Sequence, residues 1–146
     1  METTNDNSRS PCVIGNVLDI FGDRWTLLLI RDLLFFGKHE YKEFLGSPEG
    51  IATNILADRL KRLAAGGIIA DVLHPSNKTR KLYYLTDRGK DLLPLLVEMI
   101  RWGEKHLPCR EEMKPLFDRI KSTDPELLKK QVLEALDTWE SEHLEK

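Results

Sequence analysis

Apolar residues recur at helical spacing through "PCVIGNVLDIF" (residues 11–21) and stop at Gly22, which predicts a short first helix. Asp23 then stands where a cap belongs, ahead of "RWTLLLIRDLLFF". That segment is apolar on nearly every side, the signature of a central helix packed all round, and Gly37 ends it. "EYKEFLGS" gives a short helix with Tyr41, Phe44 and Leu45 as its apolar set, and "SPEG" breaks the chain. In "GIATNILADRLKRLAAGGII" (residues 50–69) the periodicity is cleaner. Leu56, Leu60 and Leu63 fall within about 60° of one another at 100° per residue, a buried stripe. Asn54, Ala57, Asp58 and Lys61 form an opposite, polar face with short side chains toward its start.

Gly66 and Gly67 are expected to supply the left-handed residue that ends this helix. "IIADVL", the turn-rich "HPSNKT" and "RKLYYLT" follow, so residues 68–86 read as a β-hairpin with a basic, polar tip. Thr86 caps a long helix, "DRGKDLLPLLVEMIRWGEKHL", which Pro94 should kink or stagger. Leu92, Leu95, Met99 and Trp102 form a seam along it, while Leu93, Leu96, Val97 and Ile100 fill an adjacent face, and one domain rarely needs both. The last helix starts at Asp124 as cap with Pro125 behind it, and Leu128, Val132, Leu136 and Trp139 form its apolar stripe.

Composition adds bounds. The 146 residues suit one domain with an appended element: a disordered leader over 1–10, a main domain over 11–106 and a helical extension over 107–146. There is no apolar run of membrane-spanning length and no signal-peptide pattern, so a cytoplasmic protein without membrane contact is expected. Cys12 and Cys109 have no paired spacing, and reduced thiols are the default. The net charge of −2 conceals an uneven distribution. Gly50 to Lys90 carries eight basic residues against three acidic, net +5, whereas the segment from Leu107 onward carries seven against ten, net −3. A local basic stretch suits a negative partner that docks at one place.

A short helix, a tight break, a second helix with a polar outer face and a basic hairpin describe a winged helix-turn-helix, mostly α with a small β-hairpin wing. Such a helix fits the major groove of double-stranded DNA. Thr53, Asn54, Ala57 and Asp58 stand on the face where base readers belong, although Asp58 better suits orienting Arg59 or Arg62, or facing water, than reading a base. Arg59, Lys61, Lys78, Arg80 and Lys81 are candidate phosphate contacts. A winged helix used only as a protein-interaction module is the rival reading.

The combination of "CVIGNVLDIFGDRWTLLLIRDL", "GIATNILADRLKRLAAGGII" and "YYLTDRG" resembles the HxlR family of bacterial winged-helix transcriptional regulators, over roughly residues 11–106. The resemblance implies a DNA-binding homodimer with residues 53–65 as recognition helix and 68–86 as wing, binding a palindromic operator, with repression the expected sign. It implies a dimer interface from the first helix and the helix after Thr86, including Val17, Leu92, Leu95, Met99 and Trp102. It also matches Cys12 to the N-terminal cysteine that serves some members as a redox or electrophile sensor; a small packed cysteine is the alternative. The sequence departs from the family in having Val13 after Cys12, Ala52-Thr53 where Ser-Pro often starts the recognition helix (Thr53 then taking over the capping), and a longer C-terminal segment. No nucleophile stands beside a base and no carboxylate pair forms a known motif, so an enzyme is not expected. His106 and Cys109 lack further nearby ligands, no metal or cofactor is expected, and no motif identifies a small-molecule effector.

Overall fold

The computed structural model describes residues 10–144; the expected leader lies almost entirely outside them. Helix α1 (Val13–Phe21) leads into α2 (Arg24–Phe35), α3 (Tyr41–Leu45) and α4 (Thr53–Ala65). The strands β1 (Ile69–His74) and β2 (Asn77–Leu85) follow, then α5 (Asp87–Lys90), α6 (Leu93–His106), a 3-10 turn (Glu111–Met113), α7 (Lys114–Ser122) and α8 (Pro125–His143).

Helix α2 is the centre. Its Leu29, Ile30, Leu33 and Leu34 are buried in one cluster with Phe44 of α3 and Leu56, Leu60 and Leu63 of α4. Leu93, Leu96 and Val97 of α6, Leu116 and Ile120 of α7, and Leu128, Val132 and Leu136 of α8 belong to the same cluster. The apolar stripe of the last helix thus completes the core around α2. Burying each of these side chains stabilises the fold by about 1.5–3 kcal/mol relative to exposure.

The two strands pair antiparallel, Ile69 opposite Leu85 and Val72 opposite Leu82, with the register slipping between Leu73 and His74. The connection is tighter than the sequence suggests, because β2 already begins at Asn77. Only Gly67 takes the left-handed conformation between α4 and β1 (φ 75°), while Gly66 stays in the right-handed region. Gly89 is required for another reason: a β-carbon there would lie 2.2 Å from the Ile68 carbonyl oxygen, where α5 crosses the start of the hairpin.

Three expectations need correction. The long helix after Thr86 is two helices, because Pro94 sits in the first turn of α6 and the chain breaks before it. Thr86 does cap, but it caps α5, accepting from the Gly89 amide. Thr53 does not cap α4; Ala52 holds the cap position with extended backbone and no side-chain bond. Helix α7 was not legible, since its nine residues carry only two fully buried apolar side chains, Leu116 and Ile120.

Candidate nucleic-acid interface

Helix α4 turns its leucine stripe inward and leaves Thr53, Asn54, Ala57, Asp58 and Lys61 exposed. Its position is fixed from both ends. The Tyr41 hydroxyl of α3 donates to the Thr53 carbonyl at 2.9 Å, tying the first turn to the preceding helix. At the far end the Ile68 amide donates to the Leu63 carbonyl as the chain turns into the hairpin.

The break between α3 and α4, "GSPEG", is held by a charged network inside the protein. Arg31 of α2 forks onto Glu49, with Nη1 to Oε2 at 2.6 Å and Nη2 to Oε1 at 3.0 Å, and its Nε and Nη2 also reach Asp32 Oδ1. Ser47 Oγ donates to Asp32 Oδ2 at 2.5 Å and accepts from Lys38 Nζ at 2.6 Å. Burial works against the Arg31 charge, yet Glu49 and Asp32 outweigh it and raise its pKa. The hydrogen bonds from Arg31 hold the Glu49 carboxyl below its ordinary value, against the opposing effect of burial. A buried charge is tolerated only when paired in this way, and the paired groups set the angle between the helices. Sequence reasoning missed this set because Arg31 and Asp32 interrupt an otherwise apolar helix without any periodic signal.

Each basic candidate has a distinct setting. Arg59 is drawn inward: its Nε donates to Asp23 Oδ2 at 2.9 Å and its Nη1 to Asp58 Oδ2 at 2.5 Å. Asp58 also lies 3.7 Å from Arg62 Nη1, so it meets both arginines that the sequence suggested it would orient. Asp23 carries two duties, accepting from the Thr26 amide at 2.8 Å as the cap of α2 and gripping Arg59. Burial pushes its carboxyl up, but the Thr26 donors and Arg59 outweigh that and leave it low. On the wing, Arg80 pairs with Glu40 and Lys81 lies 3.8 Å from Asp71. Lys78 stands exposed near the hairpin tip, where Asn77 accepts from the Thr79 amide. Lys61 and Lys78 are therefore the candidate cations without a charged partner among the described residues.

The wing is fastened to the helix-turn-helix by His39, buried to 4% exposure. The Tyr83 amide donates to the His39 carbonyl at 2.7 Å, and His39 Nδ1 lies 2.7 Å from the Tyr83 carbonyl oxygen. This single residue, two positions before α3, thus holds β2 with both its carbonyl and its ring.

Away from α4, the expected dimer residues divide. Leu95, Met99 and Trp102 of α6 are 40%, 49% and 61% exposed, whereas Val17 and Leu92 are half-buried. On α1 the exposed apolar side chains are Val13, Ile14, Leu18 and Ile20. In the single chain Cys12 is exposed at the start of α1, and the backbone amides of Gly15 and Ile14 lower its thiol pKa. No helix of the described residues is long and apolar enough to cross a membrane.

The family profile described as HxlR-like helix-turn-helix matches residues 20–111. An HTH-type transcriptional regulator of Mycobacterium bovis is 36% identical over 98 residues, which make up 67% of this chain and 61% of that protein. One from Synechocystis is 33% identical over 96 residues, covering 66% and 70%. The chain thus spans about 61% of the length of the mycobacterial relatives it matches. Among solved structures, the transcription factor PA1607 superposes with a TM-score of 0.63 at 38% identity, over 71% of each chain. The redox regulator HypR in its oxidized form gives 0.59 at 28%, over 67% of this chain and all of HypR. Quinone-bound YodB from Bacillus subtilis gives 0.52 at 27%, over 64% and 98%.

Proposed function

The chain belongs to the HxlR-like helix-turn-helix family, and on that premise we propose that it is a transcriptional regulator that binds double-stranded DNA as a homodimer and represses from a palindromic operator. The observation that carries the reading is α4, whose leucines are buried while Thr53, Asn54, Ala57 and Lys61 face solvent beside a basic hairpin. Asn54 and Thr53 read base edges in the major groove; Lys61 and the wing residue Lys78 meet phosphates. Arg59 serves through its pairing with Asp23 and Asp58, holding α4 against α2, and Arg80 and Lys81 reach phosphate only by exchanging their carboxylate partners. The amides at the start of α4, with no side-chain cap, are free for a backbone phosphate.

Exposed apolar side chains on α1 and α6 support pairing of two copies, which sets two recognition helices about one turn of DNA apart. In this reading residues 11–106 form the DNA-binding and dimerisation unit, and 107–146 extend it. Cys12 is the proposed point of regulation: an exposed thiol whose pKa is lowered by helix amides offers a thiolate to an oxidant or electrophile.

Selection of bound sequences from random duplexes, with and without oxidant, tests the whole reading. A dimer neutralising six to ten phosphates should lose about a thousandfold or more in affinity between 50 and 200 mM salt. Absence of any salt-dependent duplex binding would leave a protein-interaction module instead. Oxidant-dependent binding that survives Cys12→Ser removes the sensor role and leaves the DNA-binding role standing.

A further inference from the structure

The side of α6 turned away from its exposed apolar row lies against α7, in the part of the chain beyond residue 111 where the family match stops. Between the two helices is a cleft of about 240 Å³ lined by Ile100, Arg101, Glu104, Phe117, Ile120 and Lys121. Ile120 is 1% exposed and closes the floor. Glu104 and Lys121 meet across the helices at 3.4 Å. Arg101 is half-buried, and its Nε, unlike those of Arg31 and Arg59, is buried without a hydrogen-bond partner among the described residues. Native proteins pair nearly all such groups, because a charged donor out of water and without an acceptor is costly.

The chemistry of the cleft restricts what could supply the missing acceptor. Arg101 and Lys121 against Glu104 leave one positive charge, which matches a monoanion. A guanidinium presents planar N–H donors that a carboxylate accepts as a pair. Phe117, Ile100 and Ile120 ask for an apolar body beside the charge. A cavity of about 150 Å³ already holds benzene, so the space here takes a six-membered ring together with its carboxylate. Along α6 Arg101 lies about 130° from the mean direction of Leu95, Met99 and Trp102, so pairing through that row leaves the cleft open.

We propose that the α6–α7 cleft is a binding site for a small monocarboxylate with a ring-sized apolar body, its carboxylate on Arg101 and its ring against Phe117. The ligand lies behind the helix that carries the exposed apolar row, about 130° round α6 from that row.

Titration calorimetry of the full chain with benzoate, in the absence of DNA, tests the site independently of the DNA-binding reading. Saturable binding of one benzoate per chain is expected, with acetate and benzamide each about tenfold weaker or more, since one lacks the ring and the other the charge. Arg101→Gln should lose affinity by a similar factor while its ligand-free melting temperature is no lower than that of the wild type, since the unpaired Nε is removed with the guanidinium. Nuclear Overhauser contacts between benzoate and the Phe117 ring in the wild-type protein locate the ligand without any variant. Failure of benzoate to saturate, wild-type affinity in Arg101→Gln, or absence of the Phe117 contact overturns the proposal.

Discussion

The imidazole of His39 lies flat against the indole of Trp139, with ring centroids 3.6 Å apart and planes 14° from parallel. His143 also stacks on the indole, with centroids 4.5 Å apart, and Lys90 bonds Glu140 at 2.8 Å one residue along α8. Since His39 also holds the Tyr83 backbone of the wing through its own carbonyl and its ring Nδ1, the last helix is clamped to the residue that joins wing and helix-turn-helix. Trp139→Ala should lower stability by about 2–3 kcal/mol, less than for a fully buried tryptophan because the ring is half-buried. Urea unfolding measures it; a loss below about 0.5 kcal/mol would mean the clamp contributes nothing.

His39 should also make stability depend on pH. Burial lowers its pKa below the ordinary 6.5, with His143 acting the same way, against the Tyr83 carbonyl, Glu43 and Glu140. The folded chain therefore holds fewer protons than the unfolded chain as pH falls below about 6.5, so stability declines in that direction and is complete above it. Denaturant midpoints from pH 8 to pH 5 should fall in the wild type and flatten in His39→Gln. Carboxylates such as Glu49, whose pKa is lowered from an ordinary 4.5, act only at lower pH and do not imitate the effect.

Asp23 and Arg59 should behave as a coupled pair. Asp23→Ala removes the cap of α2 and costs about 1 kcal/mol for that alone. Arg59→Ala and the double variant complete a cycle whose coupling is expected near 1 kcal/mol in folding stability. A coupling of zero would return Arg59 to the group of simple phosphate contacts.

On DNA, Asn54→Ala and Lys78→Ala should differ in kind. Losing Lys78 weakens binding to all sequences and reduces the salt slope by about one. Losing Asn54 relaxes preference at one position of each half-site, at about 1–3 kcal/mol. Competition binding with single-base operator variants separates the two, and unchanged base preference in Asn54→Ala takes it off the list of readers.

Gly89→Ala tests the crossing of α5 over the hairpin. The new β-carbon would meet the Ile68 carbonyl oxygen at 2.2 Å, and backbone must move to admit it. A loss of about 1–3 kcal/mol is expected in thermal or urea unfolding. A variant as stable as the wild type would show that the hairpin and α5 slide freely.

The order of elements from α1 through the hairpin, and the last helix, was legible because each depended on signals within a few residues. Asp23, Thr86 and Asp124 accept amide bonds as caps, and Leu56, Leu60 and Leu63 of α4 and Leu128, Val132 and Leu136 of α8 are buried as their spacing indicates. Pro94 was legible as an interruption; that it begins a helix instead of bending one depended on the break at Asp91 and Leu92. Side-chain partners were legible only within one helical turn, as for Asp58 beside Arg59 and Arg62; those from distant parts of the chain were not. Arg59 stands on the helix flank in a sequence that offers several carboxylates, and Asp23, thirty-six positions away, is the one that packing delivers. The same holds for Glu49 under Arg31, for Trp139 against His39 and for the Nε of Arg101, left without an acceptor among the described residues. Periodicity and capping act between near neighbours and can be read along the chain. Pairing of charges and rings acts between residues that only the closed core brings together, so which cations remain free for a partner was decided by the tertiary structure.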